Sequence, residues 1–156
     1  MDQTRRDVLR ASGGASLFAM LAAAGLLRSG PTLAADWNKK AFESKNIKDA
    51  LEALGAGSPA DSADIVMTAP EIAENGAVVP VAAVSKIPGT ESIAFLIAKN
   101  PTALAASFNI PSGTEPSVST RVKLAQTTDV HVLVKANGKY YMTKKEIKVT
   151  IGGCGG

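Results

Sequence analysis

The hydrophobic pattern divides the chain into an apolar leader, a short helical stretch and a longer region of strands. After the leader, apolar residues recur at helical spacing until Gly55 ends the run. They are Trp37, Ala41, Phe42, Ile47, Ala50, Leu51 and Leu54. Asn46, with Asp49 three residues later, predicts the N-cap of a second short helix. We therefore expect short N-terminal helices whose apolar residues pack in a core.

From Ala63 onward, the pattern changes to short apolar or alternating runs separated by turn residues. The runs that we predict as strands are 65–67, 77–81, 93–97, 104–110, 118–126, 130–134 and 140–151. The run 93–97 is apolar throughout, which indicates a fully buried strand. Asn137-Gly138 is a strong signal for a two-residue hairpin turn. Six or seven short strands at this spacing predict an all-β fold, an antiparallel β-sandwich.

Pro80 interrupts one of these apolar runs. Proline has no backbone N–H to donate to a sheet ladder, so the run fits an edge strand or a bulge better than a central strand. An edge with exposed apolar residues would offer a natural surface for a partner protein.

The leader has the three parts of a secretory signal peptide. Arg5 and Arg6 form the basic start, an apolar run extends from about Ala15 to Leu27, and small residues follow at 33–35. The paired arginines are typical of twin-arginine signals and predict export to the periplasm. The apolar run is short for a membrane span, which needs about 20 residues, so we expect no membrane attachment after cleavage.

We expect cleavage of the leader near residue 34 or 35 and divide the chain into three parts. We predict a signal peptide at 1–35, a β-sandwich domain at 36–151 and a carrier arm at 152–156. Val8 stands where twin-arginine signals often have Phe, which is a mild departure from the pattern. Cargo of this route usually folds before it crosses, because it holds a cofactor or because a bound partner travels with it. Without cofactor ligands, a travelling partner is the better explanation here.

The basic character of the chain belongs largely to the leader. The chain has 17 basic and 14 acidic residues; the leader holds four and two of them, which leaves 13 and 12 and a net charge of +1. This balance gives no reason to expect nucleic-acid binding. The aromatic content of 4% is too low to suggest a sugar-binding or base-stacking face.

Few residues are available for catalysis or metal binding. His131 is the only histidine, within the sequence Val-His-Val-Leu-Val, and we favour a structural or interface role for it over metal ligation. The chain contains no Cys-x-x-Cys, no His-x-x-x-His and no glycine-rich phosphate loop. Its acidic residues are scattered. We therefore expect no metal, no cofactor of its own and no active site.

The single cysteine, Cys154, stands in the C-terminal sequence Gly152-Gly153-Cys154-Gly155-Gly156. An unpaired cysteine in an oxidising exported compartment is a reactive thiol or an intermolecular disulfide partner. The surrounding glycines predict a mobile arm that is narrow enough to enter an enzyme channel. The nearest basic residue lies six positions earlier, and the terminal carboxylate opposes thiolate formation. The pattern favours a carrier thiol whose reactivity the visited enzyme supplies.

The glycine-cysteine tail resembles that of SoxY, the sulfur-carrying subunit of the bacterial thiosulfate-oxidising system. The stretch Pro-Glu-Ile-Ala-Glu-Asn-Gly-Ala-Val-Val-Pro-Val at 70–81 is similar to that family's internal motif. The leader, the helix at Trp37 and the length also agree, so the resemblance covers essentially the whole chain.

The resemblance implies an immunoglobulin-like sandwich in a heterodimer with SoxZ, with sulfur intermediates bound covalently to Cys154. It also implies three transient partner enzymes. SoxAX, which contains haem c, joins thiosulfate to the thiol, and SoxB, which depends on manganese, releases sulfate. SoxCD oxidises the remaining sulfane sulfur in systems that have it. The haem and the manganese belong to those enzymes.

Two other functions stay open from the sequence. A SoxYZ-like carrier could serve quinoprotein dehydrogenases, but such carriers are fused two-domain chains, whereas this mature chain has the length of one domain. An exported scaffold sandwich could instead be crosslinked through Cys154. Sulfur adducts on the thiol favour a carrier, and an intermolecular disulfide as the sole modification favours the scaffold.

Overall fold

The computed structural model describes residues 38–150. Within this range the chain forms two helices and nine strands. In chain order they are α1 (Lys39–Phe42), α2 (Ile47–Ala53), β1 (Ala60–Asp61), β2 (Ile65–Thr68), β3 (Ile72–Ala73), β4 (Val79–Ser85), β5 (Thr90–Ile97), β6 (Leu104–Asn109), β7 (Ser117–Val122), β8 (Thr128–Ala136) and β9 (Lys139–Val149). Neither of the described helices has the length and apolar character needed to cross a membrane.

Two asparagines cap the helices. The Asn38 side chain accepts a hydrogen bond from the Ala41 N–H at 3.1 Å, and the Asn46 side chain accepts one from the Asp49 N–H at 2.9 Å. After α2 the chain turns at Gly55, which has a φ of +74°. The predicted start of a second helix at Asn46 is therefore confirmed. The predicted contribution of Trp37 to this region lies outside the described residues.

The larger sheet has six strands in the order β1-β9-β8-β5-β6, with β3 also paired to β9. The pairs β5–β6, β5–β8 and β8–β9 are antiparallel. β1 and β3 instead run parallel to β9, along the edge that β8 leaves free. The sequence pattern does not predict these two-residue strands, and they add parallel pairs to the expected antiparallel sandwich.

The smaller sheet has three antiparallel strands in the order β2-β4-β7. Pro80 lies in β4, the middle strand, so the expectation of an edge strand is wrong for the strand as a whole. The pairing of β2 with β4 ends at Thr68 and Ala82, however. On that side Pro80 faces no strand, so its missing N–H removes no ladder hydrogen bond there.

The main core lies between the two sheets, and a second cluster packs the helices on the outer face of the larger sheet. The core residues from the central strands β5 and β8 are Ile93, Phe95, Ile97, Val130, Val132 and Val134. In β5, Ala94 and Leu96 point to the other face and join the cluster that contains Ala50 and Leu51 of α2. β5 is thus buried on both faces, as its continuous apolar run predicts.

The hairpin between β8 and β9 turns at Asn137 and Gly138, whose φ angles of 50° and 71° fit the two-residue turn that the sequence predicts. Asn137 Nδ2 donates to the Pro88 carbonyl at 2.9 Å, and Gly138 N–H donates to Glu91 Oε1 at 3.1 Å. Lys135 lies 2.9 Å from the other Glu91 oxygen and holds the pKa of that carboxyl below its ordinary value. These contacts attach the hairpin to the start of β5.

Candidate functional site

The candidate site begins where the chain leaves the described residues toward the predicted carrier thiol. Outside the described residues lie Cys154, the arm glycines Gly152, Gly153, Gly155 and Gly156, and the signal residues Arg5 and Arg6. Thr150 is the last described residue and stands four positions before Cys154. An extended chain spans at most about 3.6 Å per residue, so four residues reach about 14 Å. An enzyme that acts on the thiol must therefore approach the surface around Thr150, which we call the arm root.

β9 brings the chain to the arm root on a firmly held strand. It pairs with β8 from Lys139 to Ile147, and β1 and β3 pair with its other edge. Ile147 is fully buried in the main core. The strand is therefore fixed by packing and by hydrogen bonds up to three residues before the last described residue.

Beyond Ile147, backbone hydrogen bonds to β3 and its flanking residues continue to hold the strand. Lys148 N–H donates to the Glu71 carbonyl at 2.9 Å, and Thr150 N–H donates to the Ala73 carbonyl at 3.1 Å. The partners on this side come from the stretch 70–81 that resembles the SoxY motif. That stretch therefore has a structural role at the arm root.

On the opposite edge of β9, the Thr127 hydroxyl replaces the missing strand partner. Val149 N–H donates to Thr127 Oγ1 at 3.0 Å. Neither the role of Thr127 nor the pairing of Ile72–Ala73 with β9 can be predicted from the sequence. A lone threonine in a polar stretch and a two-residue strand carry no periodic signal, because their roles depend on partners about 20 and 75 residues away in the chain.

Exposed apolar side chains accompany the same stretch of chain. Ile72 and Val78 have exposed fractions of 57% and 56%, and Val66 in β2 has 39%. A separate groove of about 420 Å³ lies on the smaller sheet. Its lining residues are Thr68, Ala69, Pro70, Pro80, Val81, Ala82 and Ser119. This uncharged surface is suited to contact with another protein.

The structure does not bring His131 to the arm root. His131 pairs with Lys144, six residues before Thr150, which is roughly 20 Å along a strand. Its ring is 9% exposed, and its Nδ1 atom has no hydrogen-bond partner. Burial lowers the pKa of His131, Asp129 raises it and Lys144 lowers it further. Within residues 38–150, no group of three His, Cys, Asp or Glu side chains is placed to hold a metal ion.

Comparison with known proteins places this fold and arm root in one family. The family model described as "Sulfur oxidation protein SoxY" matches residues 50–154, so the match extends to Cys154. The structure of the sulfur carrier protein SoxY from Chlorobium limicola f thiosulfatophilum is similar, with a TM-score of 0.58 and 41% sequence identity, over 66% of this chain and 96% of that one. No curated protein matches the chain in sequence.

A superoxide reductase (neelaredoxin) from Ignicoccus hospitalis has a TM-score of 0.48 and 20% identity, over 55% of this chain and 78% of that one. At these values the likeness supports no conclusion about fold or function.

The fold and the match together define an all-β sandwich of the sulfur-carrier class. The chain belongs to the SoxY family of sulfur oxidation proteins. A sulfur-carrier role follows from membership. The resemblance found from the tail and the internal motif is therefore confirmed.

Proposed function

We propose that the chain carries sulfur intermediates on Cys154 during thiosulfate oxidation in the periplasm. The observation that supports this proposal best is the family match, which ends at the only cysteine of the chain. A covalent sulfur carrier needs a thiol, and no other residue supplies one. The arm glycines Gly152, Gly153, Gly155 and Gly156 would give that thiol access to narrow enzyme pockets.

The proposed chemistry begins with two steps on the Cys154 thiol. In the first, the Cys154 thiol and thiosulfate form a sulfur–sulfur bond: RSH + S₂O₃²⁻ gives RS–S–SO₃⁻, one proton and two electrons. The electrons pass to the haem of a SoxAX-type enzyme. In the second, water hydrolyses RS–S–SO₃⁻ to RS–SH, sulfate and one proton at a manganese-dependent SoxB-type enzyme. Where a SoxCD-type enzyme is present, it accepts six electrons as RS–SH and three water molecules give RS–SO₃⁻ and seven protons. Hydrolysis of RS–SO₃⁻ by the SoxB-type enzyme then returns RSH, sulfate and one proton. The chain contributes the thiol, and its partners contribute the cofactors.

We propose that a SoxZ-type subunit binds the outer face of the smaller sheet. The outward residues of its three strands are Val66, Thr68, Pro80, Ala82, Val84, Ser117, Ser119 and Arg121. Arg121 is the only charged residue among them, whereas β9 exposes Lys144, Glu146 and Lys148 on the larger sheet. A face with a single charged residue can be buried against another protein at a lower desolvation cost than the charged face of β9.

We also propose that the chain reaches the periplasm by twin-arginine export, a route that accounts for a partner without its own signal. Arg5 and Arg6 support this proposal through the sequence pattern. Lysine at both positions should leave the precursor in the cytoplasm, as seen by cell fractionation. Normal periplasmic levels of the mature protein would rule out this route.

Replacement of Cys154 by Ser tests the carrier function. A hydroxyl cannot form the sulfur–sulfur bond, so thiosulfate oxidation in a system reconstituted with SoxAX and SoxB types of enzyme should fall to background. A Gly155→Leu variant, which keeps the thiol, should slow turnover because the added side chain has to enter the same pocket. Thermal unfolding of both variants should match the wild type, since the substitutions lie beyond β9.

The same preparations contain the controls for this experiment. Full activity of the Cys154→Ser variant would contradict the carrier function. A large loss of thermal stability in either variant would contradict the proposal of a free arm. Both variants should still copurify with a small second subunit from the native host. If the wild-type chain elutes as a monomer with no such subunit, the proposed heterodimer is wrong.

A further inference from the structure

The last three residues of the described chain are held by pairing with β3 on one side and by the side chain of Thr127 on the other. The β8–β9 ladder ends at Thr128 and Ile147. Residues 148–150 continue beyond it and would fray if nothing replaced β8, because unpaired strand ends open readily. Three backbone N–H groups in this segment instead have protein acceptors, two on the β3 side and one at Thr127.

The β3 side of this arrangement is itself attached to the body of the sandwich. Lys145 Nζ donates to the Ala69 carbonyl at 2.8 Å, just before β3. Ala73 is 6% exposed and belongs to the main core. After β3, the Gly76 carbonyl accepts a hydrogen bond from Leu124 N–H at 2.7 Å. The segment 69–76 is therefore fixed before, within and after β3.

Thr127 is held in position by the buried residue that follows it in the chain. The next residue, Thr128, is 1% exposed, and its Oγ1 atom accepts a hydrogen bond from Lys99 N–H at 3.0 Å. Thr127 thus extends from the buried start of β8 and presents its hydroxyl to Val149. The end of β9 is therefore held by the segment 69–76 and by Thr127, and each of these has its own contacts with the rest of the domain.

We infer that the segment 69–76 and Thr127 form a clamp that fixes the pivot from which the arm extends, with Thr127 as a positioning residue for the thiol. This inference rests on the proposed carrier function. The clamp places the pivot at Thr150, so four residues link the pivot to Cys154. Without the clamp the pivot moves back to Ile147, and seven residues link it to the thiol.

A longer link between the pivot and Cys154 lowers the effective concentration of the thiol at a docked enzyme. Four residues reach about 14 Å and seven reach about 25 Å. The effective concentration of a tethered group falls as about the −3/2 power of tether length or more steeply. Loss of the clamp should therefore raise the KM of a partner enzyme for the carrier about twofold to fivefold and leave kcat unchanged, because the thiol and the enzyme pocket are not altered.

Two substitutions open the two sides of the clamp separately. Thr127→Val keeps the shape of the side chain but removes the acceptor of the Val149 N–H. Thr150→Pro removes the N–H that binds the Ala73 carbonyl. Thr127→Ser keeps the hydroxyl and is the matched control. The full mature chain with its partner subunit is used throughout, because the clamp belongs to the whole domain.

The first measurement is amide hydrogen exchange. Exchange at Val149 should accelerate at least tenfold in Thr127→Val and stay near the wild-type rate in Thr127→Ser. Lys148 should lose protection only when Thr150→Pro is added. Unchanged exchange at Val149 in Thr127→Val would overturn the clamp itself, whatever the function of the chain.

The second measurement is turnover of the carrier by the thiosulfate-conjugating enzyme, with thiosulfate as substrate. The Thr127→Val, Thr150→Pro double variant should show the rise in KM at constant kcat, and Thr127→Ser should match the wild type. A small disulfide reagent should react with all variants at the wild-type rate. Faster exchange with an unchanged KM would overturn the positioning role. Full turnover by Cys154→Ser would show instead that the carrier function has failed, and the positioning role with it.

Discussion

His131, which has a titratable ring, lies on the face of β8 that faces the helices. The ring is 9% exposed and its Nδ1 atom lacks a partner. Burial lowers its pKa from the ordinary value of 6.5. Among the nearby charges, Asp129 opposes this shift and Lys144 adds to it, and these two form a long ion pair of 3.8 Å. The folded chain therefore favours the neutral ring.

The sign of the resulting pH dependence follows from the direction of this shift. Below about pH 6.5 the unfolded chain binds a proton at His131 that the folded chain resists, so stability falls as the pH falls. One such group contributes a slope of up to about 1.4 kcal/mol per pH unit. His131→Leu should remove this contribution. Urea unfolding of both proteins at pH 7.5, 6.5 and 5.5 should show the variant gaining relative stability toward low pH; parallel curves would contradict the assignment.

Gly89 lies against the turn between β8 and β9, and its lack of a side chain leaves room for Asn137. Gly89 has a φ of +72°, and a Cβ atom there would overlap the side chain of Asn137. Asn137 would then lose its hydrogen bond to Pro88. Gly113 has a similar φ of +81°, but a Cβ atom there would meet only open space. Comparing substitutions at the two glycines therefore separates the cost of backbone strain from the cost of a packing clash.

Replacement of either glycine by alanine should cost about 1 kcal/mol in unfolding free energy from the left-handed backbone alone. Gly89→Ala should cost about 1 kcal/mol more, because the Asn137 contact is lost. Urea unfolding measures both values. In an Asn137→Gly background the two replacements should cost the same. A persistent difference there would mean that Asn137 is not the source of the extra cost.

The helices and strands differ in how far the sequence can predict them. β5, β8 and the hairpin between β8 and β9 follow from local signals, namely a continuous apolar run, alternating valines and Asn137-Gly138. β1 and β3 do not, because two residues carry no period and exist as strands only where β9 offers a free edge. The position of Pro80 in a middle strand could not be predicted either, because it depends on where the pairing of β2 with β4 ends.

The candidate site divides in the same way. Cys154, the proposed carrier residue, is indicated by the sequence alone because a lone cysteine among glycines is a local and unusual pattern. The motif at 70–81 is also recognisable, but its role is not, since that role consists of backbone bonds to residues 148–150. Thr127 carries no signal at all, because one side-chain acceptor for one distant N–H depends on the assembled fold.

At the scale of the whole domain, the β8–β9 hairpin and the arm root lie at opposite ends of β9. β9 is an 11-residue strand with the hairpin at its start and the arm root at its end. At about 3.3 Å per residue these lie roughly 35 Å apart. The exposed face of the smaller sheet offers a separate surface for a partner subunit. In this account the sandwich is a rigid base that holds one end of a short covalent tether.

The most direct test of the account is the mass of the mature chain after reaction with thiosulfate and the haem-containing partner enzyme. The wild-type chain should gain one S₂O₃ unit that maps to the peptide containing Cys154 and that dithiothreitol removes. Addition of the manganese-dependent hydrolase should convert the adduct to a persulfide with one added sulfur. The Cys154→Ser chain should gain nothing. A wild-type chain that acquires no sulfur, or that forms only an intermolecular disulfide, would contradict the carrier function.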